Sequence, residues 1–226
     1  MVTVCALIAA YNEERHIAEV VRGALEHVAQ VIVVDDGSTD ATAARARSAG
    51  AIVLRHERNQ GKGQAVRTGL GYVLSAPCSH VLMIDGDLQH DPGEIPKLIA
   101  AAERGAGDFV LGEREFDKEA MPVARFYSNV IGSRILSAFI GAEVADSQSG
   151  FRLVRADWLK KVALTARGYE IETEMLIKLT RAGAKLDRVP VKRLRYDGVR
   201  SKIRPFRDTF RTCMLAVGYR YLSHGR

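Results

Sequence analysis

The chain has 226 residues, 47% of them hydrophobic and 27% charged, which fits one globular α/β domain of ordinary composition. Its formal charge of +6 is concentrated near the C-terminus, where residues 188–226 hold eleven Lys or Arg and two acidic residues. No apolar run is long enough to span a bilayer, and the N-terminal apolar segment is not expected to be a signal peptide. Three widely spaced cysteines predict neither a disulfide framework nor a zinc site, and this cysteine usage fits a reducing cytosol.

The first 115 residues alternate between short apolar runs and helical patterns. The strands are predicted at Val2–Ala9, Val31–Val34, Ala51–Arg55, Val81–Ile84 and Phe109–Leu111. Each strand is separated from the next by a helical pattern: Ile17 to Val28, the Ala-rich segment before Gly50, Lys62–Ser75, and a segment from Pro92 to Arg104. This alternation predicts right-handed crossovers and a mostly parallel sheet covered by helices on both faces.

The second half is less regular. Helices are predicted at residues 120–141, 170–182 and 206–222, and strands at 151–154 and 185–196. The sequence has no internal repeat and no convincing linker, so one domain is predicted over residues 1–205, followed by a C-terminal helix over 206–226.

Polar residues follow three of the predicted strands at the point where each strand ends. They are Ala10-Tyr11-Asn12-Glu13, Asp35-Asp36-Gly37-Ser38 and Asp85-Gly86-Asp87-Leu88-Gln89. Ligands of open parallel sheets bind beyond the carboxyl ends of the strands, and carboxylates gathered there repel one another unless a cation or hydroxyl donors join them. Asp87 and Gln89, spaced to face the same way on an extended segment, therefore predict a divalent metal bridged to a diphosphate. An acidic turn or a helix cap is the alternative.

The Gly61-Lys62-Gly63 segment imitates a phosphate-binding loop without matching one. His56 stands where the P-loop pattern requires glycine, and Val66 stands where the dinucleotide-binding pattern requires its third glycine. A turn at a helix entry is the alternative for these glycines. His90, beside the acidic cluster, is interpreted as a loop histidine without a role.

Five segments in order carry a resemblance: LIAAYNEERHIAEVV, VIVVDDGSTDAT, RNQGKGQAVRTGL, MIDGDLQHDP and DSQSGFRLV. Together they resemble the inverting family 2 glycosyltransferases with the nucleotide-sugar-binding GT-A fold. Within that family the chain is most similar to the dolichyl- and polyprenyl-phosphate mannose or glucose synthases, over roughly residues 2–205. The narrower similarity rests on DGDLQHDP, DSQSGFR and GVRSKIRP.

The resemblance implies a nucleotide diphosphate sugar as donor, with Mg²⁺ or Mn²⁺ as cofactor. Asp87 and Gln89 would hold the metal, and Asp85 would lie over the ribose and diphosphate. The other implied donor contacts are Ala10, Tyr11, Glu13, Asp36, Lys62 and Gly86.

The resemblance also implies a polyprenyl phosphate acceptor, bound by cationic side chains whose geometry suits phosphate. The residues implied are Arg114, Arg125, Ser128 or Asn129, Arg200 and Lys202, and for each arginine a surface charge is the alternative. Asp146 would face the reaction centre. With a hydroxyl acceptor it would be the general base, whereas with an anionic phosphate it would only orient Arg152 or the sugar. Glu172 and Glu174 point toward this region by the same analogy, or lie on a solvent-facing helix edge.

The C-terminal segment combines an apolar helical stripe with basic residues beside it. The stripe consists of Phe206, Phe210, Met214, Val217 and Tyr221. A helix of this kind can lie in a membrane interface, so peripheral attachment at the cytoplasmic face, or docking to a membrane-protein partner, is expected. Packing on the domain or in a dimer is the alternative. A nucleic-acid-binding protein is the most remote hypothesis, because stacking aromatic residues and a recognisable binding motif are missing.

Overall fold

The apolar runs of the sequence form one seven-stranded sheet in the computed structural model, which describes residues 2–105, 107–114, 123–192 and 194, with the backbone alone at 123–129 and 131. The strands are Val4–Ala10 (β1), Gln30–Asp35 (β2), Ile52–Arg55 (β3), His80–Met83 (β4), Phe109–Arg114 (β5), Arg152–Arg155 (β6) and Leu186–Val191 (β7). The seven strands described match the predicted positions, with bounds that differ by a few residues.

Seven α-helices connect or flank these strands. They are Ile17–Leu25 (α1), Thr42–Ser48 (α2), Lys62–Val73 (α3), Ile95–Glu103 (α4), Val123–Ile140 (α5), Ala156–Leu159 (α6) and Ile171–Arg181 (α7). A single 3-10 turn at Pro92–Glu94 leads into α4, and the Asp91 side chain caps this turn by accepting from Gly93 N at 2.8 Å. The short helix α6 was not expected from the sequence.

The strand order is β3-β2-β1-β4-β6-β5-β7. As predicted, most pairs are parallel: β1 with β2, β1 with β4, β2 with β3, and β5 with β7. Strand β6 runs antiparallel to both of its neighbours, β4 and β5. Since β6 pairs Arg152 with Met83 and Arg155 with His80, it begins at the carboxyl edge of β4. The reversed strand therefore brings the residues just before it to the edge where ligands of such sheets bind.

The core lies on both faces of the sheet. Along β1, Cys5 and Leu7 join one apolar cluster with residues of α3 and α7, while Ala6 and Ile8 join a second cluster with residues of α1 and α4. A strand buried on both faces reads as a continuous apolar run rather than an alternating one, which is the pattern of residues 4–10.

The predicted C-terminal helix at 206–222, and with it the separate segment 206–226, lies outside the described residues. Within the part of the chain that the structure does describe, no helix has both the length and the apolar character needed to cross a membrane.

Candidate active site

The loops after β1 and β2 are joined to each other by hydrogen bonds. Asn12 N donates to Ser38 Oγ at 2.9 Å, and Glu13 N donates to Thr42 Oγ1 at 2.8 Å. Thr39 N in turn donates to Asn12 Oδ1 at 3.0 Å. These short polar side chains therefore fix the first two strand ends as one rigid rim, a role that their position after the strands could have suggested.

Asp85, just beyond β4, belongs to a partly buried charged cluster at the same edge. Its Oδ1 lies 2.6 Å from Lys62 Nζ, and Lys62 also forms an ion pair with Glu172 at the start of α7. Burial raises the pKa of Asp85, but the charge and hydrogen bond of Lys62 outweigh it together with other nearby groups that include Arg114, and the pKa falls to about 2. Burial raises the pKa of Glu172. The structure thus brings together Lys62 and Asp85 of the predicted donor site, and it places Glu172 in this cluster and not on a solvent-facing helix edge.

Gly150 explains how closely the loop before β6 approaches this cluster. A Cβ atom at residue 150 would lie 2.3 Å from Asp85 Oδ2 and 2.7 Å from Asp85 Cγ, closer than real Cβ contacts allow. Any larger residue at position 150 would therefore displace the Asp85 carboxylate. The need for glycine in the SQSGF segment is steric and comes from this contact.

Asp87 and Gln89 converge through a turn, not along an extended segment. Leu88 has φ of 59° between them, and Gln89 Nε2 lies 2.6 Å from Asp87 Oδ2. The left-handed backbone at Leu88 corrects the predicted extended geometry but keeps the predicted convergence. A non-glycine residue in this conformation is uncommon and marks a locally constrained turn.

The residues around Asp87 fit a divalent cation shared with a substrate. Burial, followed by the negative charges of Asp85 and Glu13, raises the pKa of Asp87 to about 6, and a cation bound there would stabilise the ionised carboxylate. In the described part of the chain, no three His, Cys, Asp or Glu side chains are grouped so that they could hold a metal themselves. Magnesium is commonly bound by one or two carboxylates plus substrate phosphates, so Asp87 with Gln89 suits a shared site.

Arg114 and Asp146 form a bidentate ion pair at the end of β5. Arg114 Nε lies 2.6 Å from Asp146 Oδ2, and Arg114 Nη2 lies 3.0 Å from Oδ1. The Asp146 side chain is fully buried and that of Arg114 is 12% exposed. Burial lowers the pKa of Arg114, but Asp146 outweighs it and raises the pKa. Asp146 therefore orients Arg114, and this engagement disfavours its alternative role as a general base.

Arg152 is not oriented by Asp146, which corrects one of the two expectations for that aspartate. Its guanidinium donates to the carbonyl oxygens of Ser149 at 2.7 Å, Ser147 at 2.9 Å and Glu172 at 2.5 Å. Arg152 is 1% exposed, so it faces the protein interior. It joins the loop before β6 to the first turn of α7 and holds the backbone around Asp146 and Glu172 in place.

His90, predicted to be a loop histidine without a role, is fully buried. Its ring centroid lies 5.2 Å from that of Phe151, and neither ring nitrogen has a hydrogen-bond partner. Burial, followed by the positive charge of Arg114, lowers the pKa of His90 to about 3, so the imidazole is neutral.

Asp36, implied as a donor contact, is directed into the protein. It is 3% exposed, and its carboxylate accepts hydrogen bonds from the backbone of Gln60 and Gly61. Ala10 is likewise buried at the end of β1, Gly86 is buried after β4, and Tyr11 and Glu13 are partly exposed on the rim. The structure therefore places Tyr11 and Glu13 at the predicted edge and Asp36 behind it.

The acceptor residues beyond Arg114 are only partly covered by the structure. Arg125, Ser128 and Asn129 lie on α5, whose backbone is described there without side chains, and Arg200 and Lys202 fall outside the described residues. Their roles stay predictions.

Glu174, two residues after Glu172, is buried and anchors the loop before α7. Its carboxylate accepts hydrogen bonds from Thr165 N at 2.9 Å, Thr165 Oγ1 at 2.7 Å and Ala166 N at 2.8 Å. The neighbouring Ala166 carbonyl accepts from Arg67 Nη1 at 2.7 Å, which joins this loop to α3. Neither predicted alternative for Glu174 is correct, because it faces neither the reaction centre nor solvent.

We expect Glu174→Ala to lower the free energy of unfolding by about 3 kcal/mol, because two buried backbone amides lose their acceptor. Burial raises the pKa of Glu174, but bonds from Lys178, Ala166 and Thr165 outweigh it and lower the pKa to about 2. The contribution of this carboxylate is therefore complete above its ordinary pKa of 4.5 and is lost as the pH falls toward 2. Urea unfolding at pH 7 measures the loss. Glu170→Ala is the control, and equal stability of the two variants would contradict the assignment.

Comparison with known proteins gives three findings. The model of glycosyl transferase family 2 matches residues 5–163. The glycosyltransferase AglJ of Haloferax volcanii is 36% identical over 91% of this chain and 68% of its own length. A UDP-N-acetylglucosamine–dolichyl-phosphate N-acetylglucosaminyltransferase of Methanococcus voltae is 31% identical over 82% of this chain and 83% of its own.

Among solved structures, the chain is similar to a glucosyl-3-phosphoglycerate synthase of Mycobacterium tuberculosis. The two share 25% identity with a TM-score of 0.74, over 96% of this chain and 80% of that protein. The match, together with the seven-stranded sheet, confirms the predicted GT-A fold.

Proposed function

The chain belongs to glycosyl transferase family 2, and on this premise we propose that it transfers a hexose, mannose or glucose, from a nucleotide diphosphate sugar to a polyprenyl phosphate. The transfer inverts the configuration at the anomeric carbon and uses Mg²⁺ or Mn²⁺ on the donor side. The family membership makes the protein a glycosyltransferase, while the donor, the acceptor and the metal are our proposal.

The observation that carries this proposal is the meeting of two differently charged groups at one sheet edge. The turn at residues 85–89 gathers carboxylates suited to a metal-bound diphosphate, and Arg114 provides a cation suited to a second phosphate. The two groups are close enough that the charge of Arg114 lowers the pKa of Asp85. Donor and acceptor phosphates bound to them would therefore be neighbours.

The proposed reaction needs no general base. An oxygen of the acceptor phosphate is already anionic, so it attacks the anomeric carbon directly while the bond from that carbon to the β-phosphate oxygen breaks. The electron pair leaves with the nucleoside diphosphate, and no proton has to be removed. When bound, the divalent cation supplies charge stabilisation for the leaving diphosphate. Arg114, fixed by Asp146, orients the attacking phosphate.

Two findings favour a phosphate over a hydroxyl acceptor. A hydroxyl would require a base, and Asp146 is already engaged by Arg114 through both carboxylate oxygens. The related protein of Methanococcus voltae carries dolichyl phosphate in its name. Both support a lipid phosphate as the group that receives the sugar here.

A polyprenyl phosphate acceptor also implies contact with a membrane, which we propose is peripheral and at the cytoplasmic face, directly or through a membrane-protein partner. The basic residues of 188–226 would face anionic lipid headgroups. Flotation of the full chain with anionic liposomes, compared with a chain ending at residue 202, tests this. Equal flotation of the two would contradict a role of the C-terminal segment.

Release of the nucleoside diphosphate tests the donor side. UDP-glucose, GDP-mannose and UDP-N-acetylglucosamine are each incubated with the protein, with polyprenyl phosphate or a simple saccharide as acceptor. We expect release from one donor only when both polyprenyl phosphate and Mg²⁺ or Mn²⁺ are present, and its loss in EDTA. Undiminished release in EDTA would contradict the metal, and release with the saccharide alone would favour the hydroxyl-acceptor alternative.

A further inference from the structure

We propose that His56 is a positioning residue for the donor site. Together with Asp36 it fixes residues 56–61, so that the Lys62 ammonium lies against Asp85. This inference rests on the proposed function, because it concerns how the same site holds a nucleoside diphosphate. Neither residue would touch the donor, and the sequence patterns assign no role to His56.

The Asp36 carboxylate forms three hydrogen bonds with residues 56–61. Its Oδ1 lies 2.9 Å from Gln60 N and 2.6 Å from His56 Nδ1, and its Oδ2 lies 2.8 Å from Gly61 N. Its side chain is 4% exposed. Charge-assisted bonds of this length are stronger than neutral ones, so the carboxylate holds both ends of the segment at the end of β2.

The His56 ring connects the second strand to helix α3. A carboxylate accepts hydrogen bonds, so Nδ1 carries a proton toward Asp36, and Nε2 lies 3.0 Å from Thr68 Oγ1 in the second turn of the helix. The side chain is 9% exposed, which leaves the ring little freedom to turn. His56 N also donates to Asp35 O at 2.9 Å, so both backbone and ring are held.

The position of Lys62 depends directly on this arrangement. Gly61, which donates its N–H to Asp36, immediately precedes Lys62, the first residue of α3. The φ of 97° at Gly61 favours glycine at this position. On the other side, Gly63 N donates to Arg167 O at 2.8 Å, and a Cβ at Gly61 would lie 2.4 Å from the same oxygen. The helix start is therefore held between Asp36 and the loop at Arg167, and Lys62 is placed by both.

The consequence for binding follows from the charge of Lys62. Its Nζ lies 2.6 Å from Asp85 Oδ1, so it offsets one of the carboxylates that a diphosphate must approach. If the segment loosens, Lys62 loses its fixed position and the negative charge of Asp85 is less well neutralised. The binding of the donor should then weaken while the acceptor side, at Arg114, is unaffected.

The test measures nucleoside diphosphate binding by calorimetry, with UDP and with GDP, each in the presence of Mn²⁺. The proteins compared are the wild type, His56→Ala, His56→Asn and Thr68→Val, which removes the partner of the ring on α3. We expect His56→Ala to weaken binding about ten- to hundredfold, the size of a lost hydrogen bond to a charged group. His56→Asn should bind within threefold of the wild type, because its amide N–H can replace Nδ1–H toward Asp36.

The steady-state constants give a second readout that a general loss of stability would not reproduce. His56→Ala should raise the KM for the nucleotide sugar about tenfold or more and change the KM for polyprenyl phosphate less than twofold. Thr68→Val, which keeps the Asp36 contact, should lie between the wild type and His56→Ala in donor binding.

The outcomes separate this inference from the proposed function. If the wild-type protein binds neither UDP nor GDP, both the proposed function and this inference are contradicted. If the wild type and His56→Ala bind the nucleoside diphosphate with equal affinity, only the role of His56 is overturned. The same holds if His56→Asn binds it as weakly as His56→Ala. If His56→Ala does not fold, His56→Asn and Thr68→Val still test the inference. Wild-type affinity of Thr68→Val for the nucleoside diphosphate, together with a tenfold loss of affinity in His56→Asn, would refute it.

Discussion

Replacement of Asp87 by alanine should reduce sugar transfer about a thousandfold or more while the protein stays folded. In the proposed site Asp87 would hold the metal, and the charge stabilisation that a metal supplies to the leaving diphosphate is worth several kcal/mol in the transition state. Rates with saturating donor, acceptor and Mn²⁺ measure the loss. Asp157→Ala removes an exposed aspartate near the opposite end of β4 and serves as the control, which should keep full activity.

The stability of a second variant at this position, Asp87→Asn, gives an opposite readout. Burial and the charge of Asp85 raise the pKa of Asp87 to about 6, so its ionised form destabilises the folded state, and this penalty grows as the pH rises from 3.8 toward 6. Asp87→Asn should therefore keep the thermal midpoint unchanged or raise the free energy of unfolding by about 1 kcal/mol at pH 7. Retained transfer in Asp87→Ala would refute the metal assignment, and a large loss of stability would refute the electrostatic account.

Replacement of Arg114 by alanine should raise the KM for polyprenyl phosphate about ten- to hundredfold and change donor affinity less than threefold. The basis is the loss of a charged hydrogen-bonding partner for the acceptor phosphate. A fall in donor affinity of the same size would show that Arg114 belongs to the donor side. Arg155→Ala, at the far end of β6, is the control.

The buried partner of Arg114 complicates the simple variant. Asp146 would stay fully buried after Arg114 is removed, and breaking a buried pair in this way costs about 3–5 kcal/mol. The double variant Arg114→Ala with Asp146→Ala removes that cost. It should recover most of the stability and keep the high KM for the acceptor. Recovery of activity in the double variant would contradict a direct role of Arg114.

The sheet could be predicted from sequence because its central strands β1, β2 and β4 are buried on both faces and their apolar runs are continuous. The reversed direction of β6 could not, since a four-residue strand pattern at 151–154 reads the same in either direction. Its direction depends on pairing with β4 and β5, which is a contact between residues distant in the chain. Element bounds near the C-terminal part were least accurate, as the predicted strand to residue 196 ends at Val191.

The candidate site was predictable to the extent that its residues follow strand ends. Asp85, Asp87 and Gln89 come directly after β4, and Arg114 ends β5, so the topology of the sheet alone gathers them. The partner of Arg114 was not predictable. The ion pair between Arg114 and Asp146 spans 32 residues, and nothing local in the sequence links the two.

At Asp36, by contrast, a contact was predicted that the structure does not place at the ligand edge. Its position after β2 suggested a ligand contact, but the side chain is turned inward by hydrogen bonds to residues 56–61. A residue at a strand end can either face the ligand or support the loop that does. The sequence pattern does not separate these two possibilities, because both need the same short polar side chain in the same place.

Transfer of a radiolabelled sugar into lipid tests the central claim most directly. The protein is incubated with the labelled nucleotide sugar, Mn²⁺ and either polyprenyl phosphate or the matching polyprenol without phosphate, and the organic phase is counted. The account predicts label in the lipid with the phosphate and none with the alcohol, abolished by Asp87→Ala. Equal labelling of the two lipids, or label found only in water-soluble saccharides, would contradict it.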